Sequence, residues 1–320
     1  GFGKTTLVAA CIREVERSAA WLALDESDND PIRFTTYLVA ALAGIEGFQC
    51  GDTQALLQSP QSPSPDLLLT TLLNEIAACP HPFILVIDDY HLIQQPEIHN
   101  QLAFIVEHQP ENMHLVLASR EDPPLPLPRL RARNLVTEFR QHDLRFTNEE
   151  TVQFLRVTMG LEIQPEAIAA LESRTEGWIA GLQLAAVSMQ GRNDLQSFVQ
   201  DFTGSNRYIL DYLMEEVFDK QPVEIQDFLK RTSILDRLHS GLCDRVTGKP
   251  NRQGILQALE DANLFIIPLD DERRWYRYHH LFAELLRQRL RETQAENIPV
   301  LHGRAGRWFS QNGFDFEAIE

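Results

Sequence analysis

Five consecutive apolar residues, Phe83 to Ile87, are followed directly by two acids, Asp88 and Asp89. A run that is apolar at every position, rather than at alternate positions, is typical of a strand that is buried on both faces. Such a strand needs helices above and below it, which is the arrangement of a mostly parallel α/β sheet. This run therefore constrains the fold around it more than any other part of the sequence.

Other short runs predict the remainder of that sheet. Ala20 to Leu24 and Leu115 to Ala118 are apolar, and Leu135 to Phe139 is a shorter, mixed run. Between them, Thr36 to Ala43 and Asp66 to Ala78 have apolar residues at helical spacing. Strands that alternate with helices predict an α/β fold, with a mostly parallel sheet and helices on both faces.

After about residue 145 the pattern becomes helical. Thr147 and Glu150 predict a capping box at the start of one helix. A stripe of residues at helical spacing favours core packing over a ligand surface; its members are Trp178, Leu182, Ala185 and Met189. Gly191 is expected to end the helix that carries this stripe.

The last third predicts a winged helix, because helices precede a strand–turn–strand pattern over residues 264–278 and a helix from His280 to Arg291. We therefore predict four segments: an α/β domain at residues 1–145, a helical domain at 146–218, a winged-helix domain at 219–295, and the start of another helical module at 296–320.

Composition narrows the class of protein. The 320 residues carry 29 Lys and Arg against 46 Asp and Glu, a net charge of −17, which argues against broad contact with nucleic acid. No apolar run approaches the roughly 18 residues of a membrane helix. The four cysteines lie far apart without a C-x-x-C pair, which favours reduced thiols and a cytoplasmic setting over disulfides or a zinc site.

Gly3-Lys4-Thr5-Thr6 matches the second half of a P-loop, G-x-x-x-x-G-K-[ST]. In that motif, glycines such as Gly1 and Gly3 let backbone N–H groups close around phosphates. Lys4 would reach the β- and γ-phosphates, Thr5 would ligate Mg²⁺, and Thr6 would lie near the α-phosphate at the helix N-terminus. The alternative is a chance Gly-Lys-Thr before a helix. Because the chain opens inside this motif without an initiator Met, we expect it to be a fragment.

The two acids after the buried strand match a Walker B pattern. Asp88 would lie at the carboxyl edge of the sheet and hold Mg²⁺ through water, and Asp89 would orient or deprotonate the attacking water. A strand end with two solvated acids is the alternative. Arg120 follows the next strand at the same edge, where its guanidinium could bind the γ-phosphate, although a lone Arg after a strand is more often a surface residue.

Taken together, these motifs resemble the nucleotide-binding core of the STAND ATPases. More narrowly, the chain resembles the large ATP-dependent LuxR-type transcriptional regulators of the MalT type. The resemblance rests on Phe2-Gly3-Lys4-Thr5-Thr6-Leu7, Trp21-Leu22-Ala23-Leu24-Asp25, Ile87-Asp88-Asp89-Tyr90-His91, the run from Ser119 to Leu127, the run from Glu176 to Ala185, and Tyr278-His279-His280-Leu281-Phe282.

The resemblance implies an ATP/ADP-dependent switch, in which residues 1–145 are the nucleotide-binding domain of an α/β P-loop NTPase and residues 296–320 begin a helical-repeat sensor region. ADP would hold a closed form, whereas ATP and an unknown small-molecule or protein inducer would favour an open, self-associating form that slow hydrolysis resets. His279, at the start of the last winged-helix helix, would contact the ADP β-phosphate, and DNA would be bound by a C-terminal helix-turn-helix outside this sequence. Gly181-Leu182-Gln183 replaces the Gly-x-Pro of many STAND proteins, which leaves the adenine contact unassigned.

Two other functions remain open at this point: a STAND scaffold with a non-DNA effector, and a P-loop phosphotransferase with a small acceptor. H-E-x-x-H, G-x-S-x-G and G-x-G-x-x-G motifs are absent, which weakens metalloenzyme, serine-hydrolase and dinucleotide-binding hypotheses. A cluster of arginines in the winged helix could contact DNA, but acids interleaved with them favour a solvated mixed-charge face. The arginines are Arg273, Arg274, Arg277, Arg287, Arg289 and Arg291, and the acids are Asp270, Asp271, Glu272, Glu284 and Glu292.

Overall fold

The computed structural model describes residues 2–15, 17–60, 63–190, 195–202, 206–250, 253–262, 264–270 and 272–314. The chain forms two compact units, of which the first is Gly3–Phe139 and the second is Arg140–Glu320 together with Phe2. Over the described ranges, every helix is too short or too polar to cross a membrane.

The first unit alternates helices with strands. Its elements are α1 (Lys4–Glu14), β1 (Ser18–Ala23), α2 (Pro31–Leu42), α3 (Gly51–Leu57), α4 (Pro65–Ala77), β2 (Phe83–Asp88), α5 (Pro96–Glu107), β3 (Met113–Leu117) and α6 (Leu127–Ala132). Short 3₁₀ turns lie at Glu26–Asp28 and Tyr90–Leu92. Proline occupies the first turn of α2, α4 and α5, where its missing N–H costs no intrahelical hydrogen bond.

The three strands form a parallel sheet in the order β1-β2-β3, and Ile87 of β2 pairs with Leu22 on one side and Leu117 on the other. All six residues of β2 are buried, so the strand is covered on both faces. This confirms the parallel α/β fold that the apolar run predicted. Since the strands are parallel, their carboxyl ends meet at one edge of the sheet, and the acids after β2 lie there.

The predicted fourth strand, Leu135 to Phe139, is wrong: the segment is neither helix nor strand, and Leu135 and Phe139 are 67% and 68% exposed. A mixed apolar run becomes a strand only when a neighbouring strand completes its hydrogen bonds. In the described part of the unit, β2 is the one strand that pairs with β3, and 135–139 pairs with none. The Leu135 N–H instead closes the end of α6 on the Leu130 carbonyl at 3.0 Å.

The second unit is mainly helical. Its elements are α7 (Asn148–Gln153), α8 (Pro165–Thr175), α9 (Ile179–Met189), α10 (Leu195–Asp201), α11 (Arg207–Leu213), α12 (Val223–Thr232), β4 (Leu238–His239), α13 (Ser240–Thr247), α14 (Gln253–Asp261), β5 (Ile266–Pro268), β6 (Trp275–Tyr278), α15 (His280–Gln294) and α16 (Ile298–Gln311). Single π-helical turns, Phe154–Thr158 and Met214–Phe218, follow α7 and α11.

The capping box, the winged-helix sheet and the buried stripe that the sequence predicted for this unit are confirmed. The Thr147 hydroxyl accepts the Glu150 N–H and the Glu150 carboxylate accepts the Thr147 N–H, as in a capping box. Strands β4, β6 and β5 form the antiparallel sheet of a winged helix. The predicted stripe is at most 1% exposed and belongs to the core; its members are Trp178, Leu182, Ala185 and Met189. Gly191, expected to end α9, lies outside the described residues.

One hydrophobic core runs through the helical and winged-helix parts and includes α16. Trp308 of α16 lies against His239 and Trp275 of the winged-helix sheet, with ring centroids 5.5 and 6.3 Å away. The Arg304 guanidinium donates to the Val246 carbonyl of α13 at 3.0 Å. Helix α16 is therefore packed as part of the winged-helix body. The predicted boundaries at 145, 218 and 295 stay predictions.

Candidate nucleotide-binding site

Helix α1 and strand β2 bring together a hydroxyl and a carboxylate that are 83 residues apart in the chain. Gly3 adopts a left-handed conformation with φ 79° and precedes α1, whose first turn closes through the Leu7 N–H on the Gly3 carbonyl. The Thr5 hydroxyl donates to Asp88 Oδ2 at 2.9 Å. Asp88 is 4% exposed, and its Oδ1 accepts the Asp89 N–H at 2.9 Å. The P-loop half and the acidic strand end therefore meet at one point.

The donor set at this point suits magnesium. Mg²⁺ prefers hard oxygen ligands and is held by one or two protein oxygens together with waters and phosphates. Thr5 Oγ1 and the Asp88 carboxylate supply such oxygens in hydrogen-bond contact, and the burial of Asp88 fixes its position. These are the two residues that the sequence predicted for the metal.

Two cations, Lys4 and Arg120, and a second carboxylate, Asp89, lie near this contact. Burial lowers the pKa of Lys4, and the positive charge of Arg120 lowers it further, against the opposing effects of Asp89 and Asp88. Arg120 follows β3 and is close enough to Lys4 for their charges to interact, as expected for a residue at the same sheet edge. Two neighbouring cations beside a hydroxyl and a carboxylate attract a polyphosphate.

Asp89 occupies a strained backbone position. Its φ is 55°, which is uncommon for a residue with a side chain, and its side chain is 48% exposed. The residue caps the 3₁₀ turn Tyr90–Leu92, and the Tyr90 N–H donates to the Ala118 carbonyl at 3.1 Å, which ties the turn to the end of β3. The Asp89 carboxylate is therefore exposed to solvent next to Asp88.

His91 lies in the same cluster, and sequence reasoning gave it no role. Its side chain is 12% exposed, and Nδ1 lies 3.8 Å from Asp89 Oδ1. Nδ1 is buried and makes no hydrogen bond with any described residue. Burial lowers the pKa of His91, and Arg120 lowers it further, so the imidazole is neutral near pH 7. Its position two residues after the second acid was the signal in the sequence.

A second charged cluster lies in the other unit, where α8 meets the β6–α15 corner. The Arg277 guanidinium donates to both oxygens of Glu176, each at 2.7 Å, and the His280 N–H donates to Glu176 Oε1 at 3.0 Å. Burial raises the pKa of Glu176, but the hydrogen bond from Arg277 and the charge of His279 outweigh it and lower the pKa to about 2. We call Glu176, Arg277 and His279 the corner cluster.

His279 is 1% exposed within the corner cluster. Its Nε2–H donates to the Thr175 carbonyl at 2.9 Å, an assignment that follows because a carbonyl can only accept. Burial lowers the pKa of His279 to about 4, against the raising effects of Glu176 and the Thr175 carbonyl. Its Nδ1 is buried without a hydrogen bond to a described residue. The contact of His279 with the ADP β-phosphate stays a prediction.

The arginines of the winged helix are mostly paired with acids. The shortest N–O distances are 3.3 Å for Arg273–Glu260, 2.7 Å for Arg274–Glu272, 2.7 Å for Arg277–Glu176, 2.8 Å for Arg287–Asp236 and 2.9 Å for Arg289–Glu292. Helix α14, which would correspond to a groove-reading helix, contains two acids and no Lys or Arg. The pairing favours the mixed-charge face over a DNA-reading surface.

The predicted site residues thus fall into three groups. The first unit brings Gly3, Lys4 and Thr5 to Asp88, with Asp89 and Arg120 beside them, and exposes Thr6 in the first turn of α1. His279 lies in the second unit. Gly1 lies outside the described residues.

Known proteins resemble this chain over its whole length. Residues 214–298 match the MalT winged helix domain. The whole chain is 37% identical to the HTH-type transcriptional regulator MalT of Klebsiella pneumoniae and 39% identical to that of Serratia proteamaculans, of which it covers 36% and 35%. A Walker-type ATPase of Pyrococcus abyssi has the same fold, with a TM-score of 0.58 and 15% identity over 89% of this chain and 88% of the ATPase. The chain spans about a third of the length of the curated relatives and is similar to them over its whole length.

Proposed function

From this MalT-like chain with a P-loop ATPase fold, we propose that the protein is an ATP/ADP-dependent signalling switch of a LuxR-type transcriptional activator. The observation that carries the proposal is the Thr5–Asp88 hydrogen bond at the carboxyl edge of the parallel sheet, with Lys4 and Arg120 beside it. That edge is where α/β proteins bind ligands, because helix N-termini and strand ends converge there.

Each residue of the site has a defined task in this proposal. Mg²⁺, when bound with the nucleotide, supplies positive charge that stabilises the phosphates during transfer. Thr5 and Asp88 hold the ion, Lys4 and Arg120 neutralise phosphate oxygens, and Asp89 orients or deprotonates the attacking water. Gly3 and Thr6 leave backbone N–H groups at the start of α1 for the phosphates.

The switching cycle rests on the resemblance and on the relatives, which are HTH-type transcriptional regulators. ATP and an inducer favour an open form that self-associates, slow hydrolysis to ADP returns the closed form, and His279 contacts the ADP. DNA is bound through a helix-turn-helix outside residues 1–320, consistent with the net charge of −17 and the paired arginines of this segment. The proposal places the protein in the cytoplasm.

Nucleotide binding by the full-length protein tests this function. Lys4→Ala should abolish ATP binding in equilibrium dialysis, because the phosphates lose their mobile cation. Lys249→Ala is the matched control, since Lys249 is exposed in the second unit and should leave binding unchanged. Unchanged ATP affinity in Lys4→Ala would refute the nucleotide site. Steady turnover with transfer to a small acceptor would replace the switch with a phosphotransferase.

A further inference from the structure

The turn that follows β2 holds an imidazole beside the acid proposed to activate water. His91 is the middle residue of the 3₁₀ turn Tyr90–Leu92, which begins directly after Asp89. Its Nδ1 and Asp89 Oδ1 are 3.8 Å apart, slightly beyond hydrogen-bond distance. The ring is largely buried, and a polar ring atom buried without a hydrogen bond calls for an explanation.

The backbone of this turn is fixed on several sides. Tyr90 is 1% exposed, and its hydroxyl is 2.7 Å from His99 Nδ1 of α5. The Asn29 side chain donates to the Leu92 carbonyl at 2.8 Å and accepts the Gln94 N–H at 2.6 Å. Because the chain is held before and after His91, the imidazole is placed by the fold and does not depend on its own contacts for its position.

The charges that face the imidazole come from three other elements: Lys4 on α1, Asp88 and Asp89 at the end of β2, and Arg120 after β3. Nδ1 lies toward a carboxylate oxygen, which can only accept a hydrogen bond, so the favoured neutral tautomer has its proton on Nδ1. A neutral N–H donor holds a carboxylate in place while the carboxylate stays a base. A protonated imidazolium would lower the pKa of the carboxylate and make it a weaker base.

We propose that His91 is a positioning residue for Asp89, which it holds through a hydrogen bond from Nδ1–H to Oδ1 so that Oδ2 faces the attacking water. A rotation of the exposed Asp89 side chain closes the 3.8 Å gap. This inference rests on the proposed function, because it gives His91 its task through Asp89 in ATP hydrolysis. It adds a residue to the site without adding a contact to the nucleotide.

A positioning role and a purely structural role have different consequences for hydrolysis and binding. In the full-length protein with Mg²⁺-ATP, His91→Leu should lower the single-turnover hydrolysis rate by about tenfold or more, because a misplaced catalytic group loses much of its effect. The Kd for ATP should change less than about twofold, since the inference gives His91 no contact with the nucleotide. His91→Asn retains an N–H near the Nδ1 position and should recover most of the rate.

A double-mutant cycle isolates the route through Asp89. In an Asp89→Asn background, His91→Leu should cause no further loss of rate, because the group that it positions is already disabled. Additive losses would overturn the inference, as would equal losses for His91→Leu and His91→Asn. His114→Asn, at an exposed position on β3, is the matched control and should behave as wild type.

The outcomes also distinguish this inference from the proposed function. If Lys4→Ala leaves ATP affinity unchanged, the nucleotide site itself fails and His91 has no reaction to serve. If Lys4→Ala abolishes binding and Asp89→Asn slows hydrolysis while His91→Leu leaves the rate unchanged, only the inference about His91 fails.

Discussion

The two charged clusters of this chain differ in how completely their charges are satisfied by the protein. In the corner cluster, both oxygens of Glu176 accept hydrogen bonds from Arg277, and one also accepts the His280 N–H. In the first unit, Lys4 lies near Asp88, Asp89 and Arg120, yet it forms no ion pair within 4 Å with a described residue. The paired charges of Glu176 and Arg277 hold elements together, whereas the unpaired charge of Lys4 favours an anionic ligand.

The largest expected effect concerns the acid that the fold leaves exposed. Asp89→Asn should slow single-turnover ATP hydrolysis by about 10²-fold or more, because the amide cannot accept the proton of the attacking water. Nucleotide affinity should change little, since Asp89 is not a magnesium ligand in the proposal. Asp66→Asn on the exposed face of α4 is the control. A rate that is unchanged in Asp89→Asn would remove Asp89 from the reaction.

The Glu176–Arg277 pair of the corner cluster should affect the stability of the fold. Glu176→Gln removes one partner of a largely buried ion pair and leaves the charge of Arg277 uncompensated. The Arg277 side chain is 34% exposed, and water reduces the cost of the unpaired charge. We therefore expect a loss of about 1–3 kcal/mol in the free energy of unfolding. Urea unfolding monitored by the fluorescence of the second unit would measure it.

Glu216→Gln provides the matched comparison, since Glu216 forms an exposed i,i+4 pair with Lys220 at 2.9 Å. Its loss should be at most about 0.5 kcal/mol. Similar losses for the two variants would show that the corner cluster contributes no more than a surface pair.

The pH dependence of stability should identify His279 as a buried neutral group. Its pKa of about 4 in the folded chain lies below the unfolded value of about 6.5, so the unfolded chain binds the proton more readily between these values. Stability is therefore lost as pH falls from about 6.5 towards 4, by at most about 1.4 kcal/mol per pH unit.

His279→Gln should flatten this part of the pH profile. The loss of stability below about pH 4.5 should remain, because the lowered pKa of Glu176 contributes to it. The measurement is a series of urea unfolding curves from pH 7 to pH 4. An unchanged slope in His279→Gln would show that another group is responsible.

How far the sequence predicts these features depends on whether local pattern or tertiary contact decides them. The burial of β2 and the meeting of Thr5 with Asp88 follow from an all-apolar run, a P-loop half and the rule that parallel strands end at one edge. The pair Glu176–Arg277 joins residues 101 apart at a left-handed corner, where Glu176 has φ 50°. The sequence contains no periodic pattern that would indicate such a contact.

Gly177 explains why the chain turns at that corner. Its φ is 71°, and a Cβ there would lie 2.5 Å from the Phe146 carbonyl oxygen. Only glycine fits such an approach, and the turn places the Glu176 carboxylate against Arg277. His91 is a similar case, because its position two residues after the second acid acquires a role only through the 3₁₀ turn that places it beside Asp89.

The smallest expected effect concerns the segment that was wrongly predicted as a strand. Phe139→Ser should change the free energy of unfolding by less than about 0.5 kcal/mol, because the ring is 68% exposed and its replacement leaves no cavity. Phe83→Ala at the start of β2, where the ring is fully buried, should cost about 3–5 kcal/mol in the same urea unfolding experiment. A loss above about 1 kcal/mol for Phe139→Ser would show that the ring packs against another part of the protein, since an exposed side chain has no contacts of that worth to lose.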